Sequence, residues 1–263
     1  MQNTEKMPVL FLGHGSPMNA IEENEFVTGF RIISKEIPKP DAVLCISAHW
    51  ESSGTMVTAM ETPKTIHDFG GFPEELYAVQ YPAPGSPSLA QEIKDTIKKT
   101  EVGLDEKWGL DHGCWSVVKH LYPKADVPVV QLSLDYSKPA QYHYDLAKEL
   151  SSFRNKGILI IGSGNIVHNL GMVAWDKLDA SEYGYDWAIE ARDKMKSLIL
   201  NGDHASLIDY HKQGNAFNLA IPTNEHYLPL LYVLALKEEN DKVKLFNDKM
   251  VAGSLAMASI LLQ

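Results

Sequence analysis

The chain has 263 residues, 44% hydrophobic and 22% charged, with 24 Lys and Arg against 34 Asp and Glu for a net charge of −10. That length and balance suit a globular protein with a sizeable core, and the acidic surplus removes the electrostatic basis for binding nucleic acid or anionic lipid. No apolar run approaches the ~20 residues of a membrane span, and no basic segment followed by an apolar stretch opens the sequence, so the expected location is the cytoplasm.

Apolar runs rich in β-branched residues predict buried strands over 8–12, 42–47, 127–134 and 157–161. Between them lie helical patterns. Residues 86–100 read as a helix with Ser86 as N-cap and Pro87 at its first position, and 138–153 and 182–200 repeat the helical spacing. Toward the C-terminus 228–236 reads as helix with Pro229 in the first turn. Residues 242–246 read as a strand, and 254–262 are too short an apolar run to separate strand from helix. Strands alternating with helices predict an α/β fold: a single domain, 1–263, with a central, largely parallel or mixed sheet flanked by helices.

Three of the strand-like runs lead into a histidine: "VLFLGHGSP" into His14, "AVLCISAHW" into His49 and "ILIIGSGNIVHN" into His168. Ligands bind outside the carboxyl ends of strands in open parallel sheets, and each histidine has glycine or another small residue beside it, which leaves room for a close approach. His226 in "IPTNEHYLP", with Glu225 beside it, and His112 in "GLDHGCW" are further candidates. A neutral imidazole is a good ligand for Zn, Fe or Cu. Any one of these histidines can equally be a loop residue satisfied by hydrogen bonds; several together argue a shared site. His120, His143, His204 and His211 fall in helical patterns and read as surface or capping residues. His67 is intermediate. Asp111 reads as a carboxylate that orients a histidine.

Cys45 sits in an apolar run as a small core residue, and Cys114 lies beside His112; two cysteines make no disulfide framework. "GSG" at 162–164 is neither a dinucleotide fingerprint nor a P-loop, and "GHGSP" is not a nucleophile elbow. Residues 62–86, "TPKTIHDFGGFPEELYAVQYPAPGS", are too long and too aromatic for a plain connector. They read as a lid or pocket wall built on Phe69, Phe72, Tyr77 and Tyr81, or as a loop whose aromatics pin it to the core.

Taken in order, "GHGSP", "SAHW", "IHDFGGFPEELYAVQYPAPG", "GLDHGCW", "GSGNIVHNL" and "NEHYLPLL" resemble the class III extradiol ring-cleavage dioxygenases. The nearest branch is the 4,5-DOPA extradiol type, related to the B subunit of protocatechuate 4,5-dioxygenase. The resemblance implies a mononuclear non-haem metal, and a catechol substrate opened with O2 to a semialdehyde. It implies His14 and His49 as metal ligands and His226 as the third, with Glu225 a rival because other class III enzymes use a carboxylate there. His168 corresponds to an acid/base residue or an additional ligand, and His112 to a second pocket histidine. Activity in this family implies Fe(II), and Zn(II) is expected in its place in purified protein. Neither nucleic acid nor membrane is an expected partner, and the sequence leaves the oligomeric state open. On the residues alone, a zinc hydrolase using the same histidines is the alternative, since three imidazoles and an open position also activate water.

Overall fold

Alternation within the apolar runs places a core on each side of one sheet. In the first strand, β1 (Val9–Gly13), Val9 and Phe11 enter one core and Leu10 and Leu12 the other, as the two-residue period of a strand requires. The computed structural model describes residues 6–178 and 180–263. After β1 come α1 (Glu25–Glu36), β2 (Ala42–Ser52), β3 (Thr55–Thr58), α2 (Glu74–Tyr77), α3 (Pro87–Thr96), β4 (Val102–Asp105), α4 (His112–Leu121), β5 (Val129–Asp135), α5 (Ala140–Lys148) and β6 (Ile158–Gly164). The chain continues with α6 (Asp186–Asn201), α7 (His204–Ile208), α8 (Asn215–Ala220), α9 (Leu228–Ala235), β7 (Val243–Phe246), β8 (Met250–Val251), β9 (Leu255–Ala256) and β10 (Ser259–Leu262).

The main sheet has 8 strands in the order β4-β3-β5-β2-β6-β1-β10-β7. Its middle, β5-β2-β6-β1, is parallel, whereas β10 joins β1 antiparallel and β3 joins β5 antiparallel. The sheet is therefore mixed, within the α/β class that the alternating pattern predicts. The ambiguous C-terminal run is strand, because β10 fills the slot beside β1, pairing Val9 with Leu262. Helices α5, α6, α8 and α9 pack into one core and α1 and α4 into the other. α9 is buried from Leu228 through Leu234, which an apolar run without a polar face demands.

Element ends shift where tertiary contacts override local pattern. Ser86 caps α3 as expected, accepting the Leu89 N–H at 3.3 Å. The helix stops at Thr96, because Ile97 turns extended and stays buried while the carboxylate of Glu149 takes the next two backbone N–H groups. The larger correction concerns histidines expected at the surface. His143 is fully buried against the hydroxyl of Tyr232 at 3.1 Å, and His120 is buried with Nε2 2.7 Å from the carbonyl of Asn19. Helix pattern alone cannot reveal this for His120, because α4 is covered on nearly every side by its neighbours, whereas His143 shares the buried face of α5 with Ala140, Leu146 and Ala147. His211 is exposed as expected. Among the described residues no helix is long and apolar enough to cross a membrane.

Candidate metal centre

The carboxyl ends of β1, β2 and β6 lie side by side in the parallel part of the sheet, and the histidines gather there. His14 follows β1 directly. Its backbone N–H donates to the carbonyl of Gly164 at 3.1 Å, and Gly15 turns the chain away at a φ of 61°, a conformation that suits glycine. His49 lies within β2 rather than after it. The register between β2 and β5 slips there, so that Ser47, Ala48, His49 and Trp50 stand opposite Ser133 alone. This bulge re-aims the His49 side chain. His168 follows β6, tied by its N–H to the carbonyl of Ala220 at 2.9 Å. His226 immediately precedes Tyr227 and the buried helix α9, and its carbonyl receives the Asn165 N–H at 2.9 Å.

His112 opens α4. Asp111 caps that helix and accepts from Ser47 Oγ at 2.6 Å, Gln131 Nε2 at 2.7 Å and Cys114 N–H at 3.0 Å. Burial raises the Asp111 carboxyl pKa. The sequence suggests a histidine-orienting role for Asp111; its hydrogen bonds instead go to Ser47, Gln131, Trp108 and its own helix. Gly113 is needed for space: a Cβ there would stand 2.5 Å from Ser47 Oγ and 2.7 Å from His49 Cδ2.

All five candidate histidines converge. Ligand atoms of His14, His49 and His112 lie within 4.8 Å of one another, as do those of His168, Glu225 and His226. His226 joins the two groups, with its ring centroid 5.3 Å from that of His14 and 5.0 Å from that of His49. His168 stacks on His226 with centroids 3.5 Å apart and planes at 8°.

The hydrogen-bond partners assign the tautomers. Ser163 Oγ spends its proton on the Gly113 carbonyl, so at 3.0 Å from His14 Nδ1 it accepts. Glu225 Oε1 lies 3.0 Å from His226 Nδ1, and Asp68 Oδ2 lies 3.4 Å from His49 Nδ1. His14 and His226 therefore carry their protons on Nδ1 and keep bare Nε2 atoms, while His49 turns its Nδ1 to the Asp68 carboxylate at a longer, ion-pair distance. Such partners behind a histidine fix the orientation of metal-ligating imidazoles. Glu225, the rival third ligand, is engaged with His226 and with Thr223 Oγ1 at 3.0 Å.

The electrostatics agree. Burial, reinforced by the neighbouring imidazoles, pushes His14 and His226 well below the ordinary histidine pKa. Burial first and His112 second bring His49 to about 3, against the pull of Asp68 and Glu225. Burial likewise brings His168 to about 4. These four rings are neutral near pH 7, the form that binds a metal. A cluster of uncharged imidazoles with bare nitrogens suits a divalent transition metal.

Asp68 and Ser163 carry no sequence signal of their own, since a partner of a histidine's far nitrogen follows no spacing rule. The 62–86 segment is pinned rather than loose. Trp115 Nε1 donates to the Ile66 carbonyl at 2.8 Å, Tyr81 Oη donates to the Tyr122 carbonyl at 2.9 Å, and Leu76 and Tyr81 are buried. Phe69 sets its ring edgewise to His112, with centroids 5.5 Å apart, so the loop also walls the site. Cys45 and Cys114 are free and buried.

The family described as "Catalytic LigB subunit of aromatic ring-opening dioxygenase" matches residues 8–259. The chain belongs to the LigB family. The 4,5-DOPA dioxygenase extradiol of Escherichia coli K12 is 45% identical over 266 aligned positions, covering 99% of this chain and 96% of that protein. The protein of the same name from Beta vulgaris is 35% identical, covering 95% and 94%. A crystal structure of an uncharacterized protein from Escherichia coli K12 superposes with a TM-score of 0.84 at 38% identity, covering 98% of this chain and all of that one. This LigB protein is thus an extradiol, aromatic ring-opening dioxygenase of a metal-dependent family, and the zinc-hydrolase alternative falls away.

Proposed function

We propose that this chain, acting as one catalytic domain, opens the ring of a DOPA-like catechol beside the diol, with O2 as second substrate and a semialdehyde as product. The observation that supports the reading most is the convergence of the His14, His49 and His226 rings, with centroids 5.0 to 5.3 Å apart and the Nε2 atoms of His14 and His49 3.1 Å apart; these three are the proposed ligands. Fe(II) held by these residues would supply the reaction path between triplet O2 and a singlet catechol that side chains alone lack, and Zn(II) would fit the same imidazole site in purified protein.

The remaining residues handle protons and fit. His168 is the proposed acid/base group. It stacks on His226, and burial keeps it uncharged at working pH, so its free nitrogen can accept a hydroxyl proton from the incoming catechol. His112, with Nδ1 2.9 Å from Asp68 Oδ2, points its bare Nε2 into the same space and accepts a substrate hydrogen bond. Phe69 and Phe72 pack edge to face, with centroids 5.4 Å apart, and offer apolar surface to an aromatic ring.

The test is anaerobic loading with Fe(II), followed by air and a panel of catechols including DOPA. A yellow ring-opened product with one O2 consumed per turnover is expected. No product from any catechol sinks the substrate assignment.

A further inference from the structure

We propose that Asp68 is a positioning residue shared by two histidines of the centre, His49 and His112. The inference rests on the ligand set proposed above. Both oxygens of this carboxylate are engaged. Oδ1 accepts the backbone N–H of His112 at 2.9 Å, and Oδ2 stands 2.9 Å from His112 Nδ1 and 3.4 Å from His49 Nδ1. The two rings it faces lie side by side, with centroids 3.9 Å apart.

One anion thus faces the Nδ1 of both imidazoles, bonding His112 and standing at ion-pair distance from His49. A proton drawn to Nδ1 by that charge leaves the Nε2 of each ring bare. On His49 that nitrogen lies 3.1 Å from Nε2 of His14, where it is ready for the cation. On His112 it is an acceptor for a substrate hydroxyl. Without the carboxylate either ring is free to move its proton to Nε2 or to flip, and a protonated Nε2 cannot ligate.

Asp68 is not what keeps its loop in place. Ile66 N–H donates to the Leu110 carbonyl at 2.7 Å, Trp115 Nε1 donates to the Ile66 carbonyl, and the His67 ring lies 2.9 Å from the Val79 carbonyl. The loop is anchored before Asp68 at Ile66 and His67 and after it by Tyr81 Oη on the Tyr122 carbonyl, so substituting Asp68 perturbs the histidines more than the fold.

The experiment titrates the metal-stripped full chain with Zn(II) against a chromophoric chelator. It compares the parent, Asp68→Asn, Asp68→Ala, His112→Ala, the Asp68→Ala/His112→Ala double variant, and Tyr81→Phe as a loop control. Asp68→Ala is expected to weaken zinc binding ~10- to 100-fold, and Asp68→Asn by less, because its amide oxygen still accepts one hydrogen bond. The loss should persist in the His112→Ala background, since part of it runs through His49. Tyr81→Phe removes a loop anchor and should leave zinc affinity unchanged. At saturating Fe(II), Asp68→Ala should lower kcat for a catechol, with no further fall when His112 is already Ala.

Parental zinc affinity in Asp68→Ala overturns the proposal. So does a zinc loss that vanishes once His112 is Ala, or an equal loss in Tyr81→Phe. The zinc measurements need no turnover, so a parent protein inactive on every catechol would defeat the substrate reading while Asp68 is still judged.

Discussion

The Nε2 atoms of His14 and His49 stand 3.1 Å apart, and each ring has its other nitrogen turned to an outward acceptor. Two lone pairs that close repel unless something positive lies between them. With the His14 proton held on Nδ1 by Ser163 and the His49 Nδ1 facing the Asp68 anion, the gap between the two Nε2 atoms suits a divalent cation.

Replacing either ring removes one of three proposed ligands. His14→Ala and His49→Ala should each abolish stoichiometric metal by elemental analysis while the far-UV circular dichroism stays that of the parent. Full occupancy in either variant would remove that residue from the ligand set.

His168 stacks face to face on His226, so a substitution that keeps that contact separates its proposed acid/base role from ligation. His168→Phe keeps a flat ring against His226 and should therefore retain metal at parental stoichiometry. Turnover should fall ~100-fold or more, the usual contribution of general acid–base catalysis. Loss of metal on this change would reassign His168 as a ligand.

Much of this centre is readable in the sequence because His14 and His168 obey a local rule: an apolar run ends and a histidine follows. Position at strand ends is set by the chain itself, and so is the Ser86 cap of α3. His49 breaks the rule, since a register slip between β2 and β5 aims it, and pairing register is a property of two strands. Asp68 and Ser163 are invisible for the same reason, because the atoms they serve belong to residues far away in sequence. His120 misleads because neighbouring elements cover α4 on nearly every side, and His143 because it is a polar residue on the apolar face that α5 makes with Ala140, Leu146 and Ala147.

Gly113 leaves room for His49. A methyl group there meets Ser47 Oγ at 2.5 Å and His49 Cδ2 at 2.7 Å, and α4 is packed too closely to retreat. Gly113→Ala should push His49 off its position, weakening zinc binding ~10-fold or more, on the scale of losing a ligand's supporting contact. Overpacking of this kind costs ~1–3 kcal/mol of stability, read as a modest fall in Tm. Parental zinc affinity in this variant would mean that the bulged segment of β2 relaxes around the methyl group.

Acid sensitivity follows from the buried histidines outside the centre as well as within it. His143 has Nδ1 3.1 Å from the Tyr232 hydroxyl, and burial lowers its pKa from 6.5 to about 4. Between those values the unfolded chain binds a proton that the folded chain refuses. Stability from this residue is full above the ordinary pKa, drains as pH falls toward 4, and changes no further below it. His168 and His49 shift in the same direction, so the metal-free protein should lose Tm steadily below about pH 6.5. His143→Phe removes one of these protons and should flatten the profile by up to ~3 kcal/mol between pH 7 and pH 4. The measurement is thermal unfolding of the metal-stripped parent and of His143→Phe across that range. Superimposable pH profiles would mean that His143 titrates alike in the folded and unfolded chains.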